Sequence, residues 1–385
     1  VPTALHLTVP DDRDAIVRAL ELSVEAADIV IATGGLGPTD DDLTRFALAD
    51  LLEEREMVMD GSSWAHVQAY FEARGRQAPQ RSRVQALRPS GARMIDNPQG
   101  TARGLHARHR ETDVYCLPGV PSEMRAMFKG QIRPALVQGS DRPTNVILTA
   151  RINTFGEGES AVAQRLGDLT RRDRNPLVGL TLSAGTVCVR IRSQFPTDGE
   201  AAEHLQATVA QVEQRLSPIA FGRDEQTLAQ CVFAQLTDAG RTVATAESCT
   251  AGLLGKMLTD PPGSSAAYVG GWVVYTNDLK RQQLGVPAET LETHGAVSEA
   301  VAAAMADAAR ARSGADFALA ITGIAGPGGG TPDKPVGTVW IALAERDRPP
   351  LARCFHFPDD RDGVRQRSAM TALDLLRRRL LETRA

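Results

Sequence analysis

The sequence predicts an α/β chain of three successive domains, and three observations carry that expectation. At 385 residues the chain exceeds what one hydrophobic core holds together. Short apolar strands run into glycine-rich turns and then into helices, the order that builds parallel sheets with ligand sites at the strand ends. No internal repeat or low-complexity tract breaks this alternation.

The first domain, residues 1–143, opens with a helix over 14–26 and an apolar strand over 28–33. A glycine-rich turn, 34–39, leads to a helix starting near Asp41, and a second strand near 114–117 enters the turn PGVPSEM and another helix. The middle domain, 144–222, reads as a strand (145–153), a helix (157–169), two strands within 178–193 and a helix to about Arg215. The third, 223–385, begins with a helix over 226–239 that Gly240 can end in the left-handed conformation. Strands at 242–246, 268–275, 317–322, 336–344 and 353–357 then alternate with helices.

Composition removes several classes of function. Lys and Arg total 43 against 47 Asp and Glu, a net charge of −4, so no basic field collects nucleic acid. Aromatics at 4% are too few for a base-stacking platform. Cys116, Cys188, Cys231, Cys249 and Cys354 are scattered with no CxxC pair, which indicates neither a disulfide framework nor a structural zinc site. No apolar run is long enough to span a bilayer, and no signal region opens the chain at Val1. The expected setting is a reducing cytoplasm, with a small-molecule partner and neither nucleic acid nor membrane.

The third domain concentrates the chemistry. Ser248 stands where a strand breaks toward a helix, beside N–H groups that can hold an oxyanion. It reads equally as an N-cap, and the residue type alone favours the cap. Asn277 is a good N-cap for the next helix and puts Lys280 in its first turn, where the helix dipole disfavours a cation. The same field with some burial lowers an amine's pKa until it can take a proton from serine. Tyr275, at the strand end, can relay or donate a proton. Taken singly, the lysine reads as a solvated surface group and the tyrosine as core. ITGIAGPGGG, 321–330, carries Thr322, Gly323, Gly326, Gly328 and Gly329 and reads as an anion-facing loop or a flexible one. Arg361 and Arg365 are one helical turn apart, just after Asp359 and Asp360, and can grip a phosphate or simply face water. Cys249 competes as nucleophile; on a helix it would point about 100° from Ser248, and a histidine base is absent from these motifs, His294 being nearest in sequence.

AESCTAG (246–252), VVYTNDLK (273–280) and ITGIAGP (321–327), with RDGVR at 361–365, resemble the C-terminal domain of the CinA (competence/damage-inducible protein) family across the whole third domain. Members resembling this region are nicotinamide mononucleotide amidohydrolases. The resemblance implies Ser248 as nucleophile and Lys280 and Tyr275 as acid–base partners. It places Thr322, the glycine loop and the arginines around the substrate, and it implies no metal or cofactor for this step and a homodimer.

In the first domain GGLGPTDDDLT contributes Gly34, Gly35, Gly37 and Thr39 to a phosphate-facing turn, with Asp40, Asp41 and Asp42 crowding the next helix start. Those acids read as helix caps or as holders of a divalent cation bridging a pyrophosphate. With NPQGTARG and LPGVPSEM they resemble the family's molybdopterin-binding-like, doubly wound domain, some members of which hydrolyse ADP-ribose with a divalent metal. That pattern begins with a strand and a GTELL-like turn, and Val1 enters after them, so a domain lacking its first strand is expected. TFGEGES (154–160) and GTVCVRIRS (185–193) resemble the family's KH-like linker domain. With no GxxG clamp between its helices, this domain reads as structural or dimer-forming rather than RNA-binding. A non-catalytic scaffold, the third reading, is opposed by the intact Ser248, Tyr275 and Lys280.

Overall fold

Residues 3–54, 56–138, 145–183 and 185–384 are described by a computed structural model. The chain divides into two units, Val1–Arg142 and Pro143–Ala385; the boundary expected at 143/144 lies outside the described residues.

In the first unit Asp12 accepts the N–H of Ala15 at 2.8 Å and starts α1 (Arg13–Ala26). There follow β1 (Ile29–Thr33), α2 (Thr44–Leu51), β2 (Met57–Met59), α3 (Gly61–Glu72), β3 (Leu87–Pro89), β4 (Arg93–Ile95), β5 (Gly104–His109), β6 (Thr112–Leu117), α4 (Pro121–Met127) and α5 (Arg133–Gln138). The main sheet runs β1-β6-β5-β4, and β2 pairs with β3 apart from it. Among the described residues of this unit only β1 and β6 pair in parallel. β5 and β6 are joined by Arg110 and Glu111 alone, and a two-residue link forces an antiparallel hairpin. The helix expected near Asp41 starts at Thr44 instead, because the Asp42 carboxylate turns back onto Thr39 and holds 39–42 as a turn.

The second unit begins with β7 (Val146–Phe155), α6 (Glu159–Leu166), β8 (Leu177–Ser183), β9 (Thr186–Phe195), α7 (Asp198–Leu216) and β10 (Ala220–Arg223), an antiparallel sheet in the order β10-β7-β9-β8. In β9 Val187, Val189 and Ile191 are buried while Arg190 and Arg192 face water, so one face of the sheet takes α6 and α7.

The chain continues through α8 (Leu228–Ala239), β11 (Val243–Glu247), α9 (Leu253–Thr259), β12 (Tyr268–Val273), α10 (Asn277–Leu284), α11 (Ala288–His294), α12 (Glu299–Ser313), β13 (Phe317–Gly323), β14 (Thr338–Glu345), β15 (Arg348–His356) and α13 (Arg361–Arg384). Gly240 ends α8 at φ +61°. The sheet order is β12-β11-β13-β14-β15, with the first three strands parallel and the last two antiparallel. Its two faces differ in size of side chain. Ala244, Ala246, Ala318, Ala320, Ala342 and Ala344 form one face, and the alanine-rich α12 packs on it through Ala302, Ala306 and Ala309. Val243, Leu319, Ile321, Val339 and Ile341 form the other, under α8, α9 and α13. Buried Arg377 on α13 pairs with Asp374 at 2.7 Å and donates to the Pro218 and Ala220 carbonyls, joining this layer to the small antiparallel sheet.

Candidate active site

Strand alternation sorts the residues around Ser248 onto two sides of the sheet. Val243 packs under α8, α9 and α13, and Ala244 and Ala246 face α12. The alternation persists past the end of β11. The Ser248 N–H donates to the Ile321 carbonyl at 2.9 Å as one more rung, and its side chain faces Lys280. Cys249 returns to the first side, in the core with Leu254 and Ile321. This corrects the expectation that Ser248 and Cys249 open a helix: α9 starts only at Leu253, with Gly252 at φ +93° as its N-cap. Ser248 is therefore no cap. Burial pushes the Cys249 thiol up to about 12, which leaves it an inert apolar group. His294 is exposed at the end of α11, and its carbonyl serves Lys334.

Lys280 is 1% exposed. Thr276, rather than Asn277, caps its helix through the Leu279 N–H at 3.3 Å. The amine lies 3.0 Å from Ser248 Oγ and donates to the carbonyls of Val274 at 3.0 Å and Tyr275 at 3.4 Å. No carboxylate is among these partners. Burial pulls its pKa below that of an ordinary lysine, and neither Arg361 nor Arg365 contributes. The Tyr275 hydroxyl does not join this pair. The residue is 53% exposed and its hydroxyl accepts from Arg361 at 3.1 Å.

Arg361 and Arg365 both turn toward the site, as their spacing on α13 allows. Arg361 also donates to the Gly326 carbonyl at 2.6 Å, and Arg365 to the Thr250 carbonyl at 3.1 Å. Asp360 starts their helix by accepting the Gly363 N–H at 2.8 Å. Thr322 is buried at the end of β13 with its hydroxyl donating to the Ala296 carbonyl at 2.8 Å, so that donor is already engaged. Gly323 fits because a Cβ there would meet Val339 at 2.7 Å, and Gly326 takes φ +82°. Gly328 and Gly329 form the exposed tip of the loop. Two atoms beside the Ser248 turn, Thr250 Oγ1 and Arg365 Nε, are buried without a partner. An orphan of this kind costs about 1–3 kcal/mol unless a ligand or water meets it. The Ser248 N–H is engaged by Ile321, whereas the Cys249 and Thr250 N–H groups of the same turn have no backbone acceptor among the described residues.

Sequence reasoning passed over Glu247 and Lys334. Glu247 accepts the N–H groups of Gly252, Leu254 and Gly255; its signal was an acid closing the otherwise apolar strand VATAE. Lys334 donates to the His294 and Val297 carbonyls at 3.0 and 2.8 Å and ties the glycine loop to the start of α12, a contact with no local signal.

Two relatives decide the family. A CinA-like protein of Geobacter sulfurreducens is 41% identical over 98% of this chain and 90% of its own length. Another, from Synechocystis sp., is 42% identical over 99% of this chain and 91% of its own. The chain belongs to the CinA family. Family models agree along its length: "Probable molybdopterin binding domain" over residues 2–138, "Damage-inducible protein CinA KH domain" over 149–222 and "CinA C-terminal domain" over 225–380. Among solved structures, the competence/damage inducible protein CihA from Agrobacterium tumefaciens is 48% identical, with 39% of this chain and 91% of that chain covered at a TM-score of 0.38.

The N-terminal turn of this CinA-family chain is built differently. Gly34 donates to the Leu117 carbonyl at 2.9 Å, and Gly35 leaves room for Thr44, whose oxygen a Cβ would meet at 2.2 Å. The Asp42 carboxylate accepts from the Thr39 N–H at 2.9 Å and its hydroxyl at 2.5 Å, and Gly37 packs against the same carboxylate. Asp40 and Asp41 are exposed. No group of three or more His, Cys, Asp or Glu side chains converges to hold a metal among the described residues. Nor is any described helix long and apolar enough to cross a membrane.

Proposed function

We propose that the C-terminal domain hydrolyses the carboxamide of nicotinamide mononucleotide to nicotinate mononucleotide and ammonia. The observation that carries the reading is the buried Lys280 amine 3.0 Å from Ser248 Oγ with no carboxylate to hold it charged. The substrate comes from the resemblance of the Ser248, Lys280 and glycine-loop motifs to the amidohydrolase members of the family. A neutral amine directs two N–H groups at the Val274 and Tyr275 carbonyls and keeps its lone pair for the serine proton.

In the first step Ser248 Oγ bonds to the carboxamide carbon as its proton passes to Lys280 Nζ. The oxyanion forms against the N–H groups of Cys249 and Thr250. Lys280 returns the proton to the departing nitrogen, the C–N bond breaks and ammonia leaves an acyl ester on Ser248. Water then adds to the ester carbon, its proton passing to Lys280 and on to the serine oxygen, and the carboxylate is released. Arg361, Tyr275 and the glycine loop serve the ribose phosphate, with Arg365 bracing the turn. Ammonia release from the nucleotide by purified protein, measured with a chelator present, tests the reading. Release in wild type and none in Ser248→Ala is expected; equal release in both overturns it.

A further inference from the structure

Glu247 is 1% exposed and ends the strand that delivers Ser248. A buried carboxylate is costly unless its lone pairs are filled. All three of its hydrogen bonds come from main-chain N–H groups: Gly252 and Leu254 at 3.0 Å and Gly255 at 2.7 Å. Gly255 is suited to this approach, since a Cβ there would meet the Tyr268 hydroxyl at 2.8 Å and Glu247 Oε1 at 3.4 Å. The carboxylate thus staples the first turn of α9 to the end of β11. Between the two staple points the chain folds through Ala251 at φ +50° and Gly252 at φ +93°. An alanine in the left-handed region persists only where its surroundings hold it. The turn so held contains Ser248 and the Cys249 and Thr250 N–H groups assigned above to the oxyanion. Glu247 is no base for the reaction: alternation turns its side chain to the face opposite Ser248, where both oxygens accept main-chain N–H groups.

We infer that Glu247 is a positioning residue, which sets the nucleophile's place by clamping the strained turn between β11 and α9. The inference rests on Ser248 being the nucleophile, as proposed above. Its consequence is a split in the kinetics. The substrate's phosphate is assigned above to Arg361, which bonds Tyr275 and Gly326, and to the β13–β14 loop, neither of which bonds the clamped turn. Losing the clamp lowers the reactivity of Ser248 and leaves substrate binding in place.

The test uses the full chain and a small alkyl fluorophosphonate, which needs no nucleotide. Ser248 Oγ bonds to phosphorus, fluoride leaves, and the serine proton passes to Lys280. Rates of phosphonylation are compared for wild type, Glu247→Gln and Glu247→Asp, each corrected for its folded fraction by circular dichroism. In Glu247→Gln the amide NH2 takes the place of one carboxylate oxygen and faces an N–H donor, so the staple to Gly255 is lost and the charge that tightened the other two bonds goes with it. The labelling rate and kcat should fall together by about 100-fold, the size of effect an ångström of misplacement has, with KM within about threefold. Glu247→Asp keeps the charge but not the reach, and should fall between. A wild-type labelling rate in folded Glu247→Gln, or a loss confined to KM, overturns the inference. If Glu247→Gln does not fold, Glu247→Asp decides: a reduced rate supports the clamp and a wild-type rate overturns it. A wild type that labels at Ser248 but releases no ammonia refutes the nucleotide reading and leaves this comparison intact. One that does neither overturns both.

Discussion

The two glycine-bearing turns, 34–39 after β1 and 248–252 after β11, start from the same plan and end in different chemistry. Each leaves a parallel strand, uses left-handed backbone and carries an acid close by. β11 sits between β12 and β13, so its turn receives the Ile321 carbonyl from one side and Lys280 from the helix after the other. β1 has β6 on one side and no other neighbour among the described residues. Its turn closes on itself: Asp42 binds Thr39, and Arg45 underneath donates to the Leu36 and Leu87 carbonyls. A central strand end collects groups from both flanks and buries them, and burial is what lets an amine stand neutral with its lone pair free. Arg45 shows the limit of that effect: burial lowers it only to about 10, far too high to lose its proton near neutrality.

The sharpest way to break the comparison is to remove the buried pair. Ser248→Ala should cut ammonia release by at least about 10⁴-fold with an unchanged circular dichroism spectrum. Cys249→Ala, in the core on the other face, should stay within about tenfold. A reversal in the two assays would move the nucleophile.

Lys280→Arg should cost about 10³-fold or more, because arginine keeps its proton. The sign of the pH dependence follows from the lowered pKa. The amine is protonated and inactive below its folded value, so kcat/KM rises with pH along a limb below the ordinary value of about 10.4. In the same window the unfolded chain binds more protons than the folded one, so stability also rises with pH. A pH–rate profile and denaturant melts at several pH values check both. A limb at the ordinary lysine value would remove Lys280 as the base.

Arg361→Ala removes a charged donor to Tyr275 and Gly326 and should raise KM about 10- to 100-fold. It should change hydrolysis of the phosphate-free riboside little. Equal losses on both substrates would make it a structural residue.

The smallest effect belongs to the other turn. Asp42→Asn should lower stability by about 1 kcal/mol at neutral pH and leave ammonia release within twofold. Burial pushes the Asp42 carboxyl up, but hydrogen bonds from Thr39 and Gly37 outweigh it and hold it below its usual value. That contribution is present above the unfolded pKa and fades as pH falls through the folded one, so wild type and variant should converge in acid. Urea midpoints measured across that range would show it.

Resemblance to a family grouped the candidate site into three motifs; the patterning of the sequence, which left β2 to β5, α3 and β10 unread, determined the α/β class, the order of the elements it marked and the residue types of the site. Those are local quantities, set by periodicity, turn residues and caps within a few positions of one another. It also carried the pairing of Arg361 with Arg365, because helical spacing is short-ranged. Only the tertiary structure decided that Ser248 extends the ladder one rung past β11 rather than capping a helix, since that depends on a bond to Ile321, 73 positions away. It decided that Cys249 is core, that Tyr275 turns to Arg361, and that the lysine is buried. It also showed the Glu247 carboxylate bonded to three N–H groups of the turn and α9, although the acid and these partners lie within eight residues. Charge state follows from what surrounds a group, and the surroundings of Lys280 arrive from strands and helices that are neighbours only once the sheet has formed.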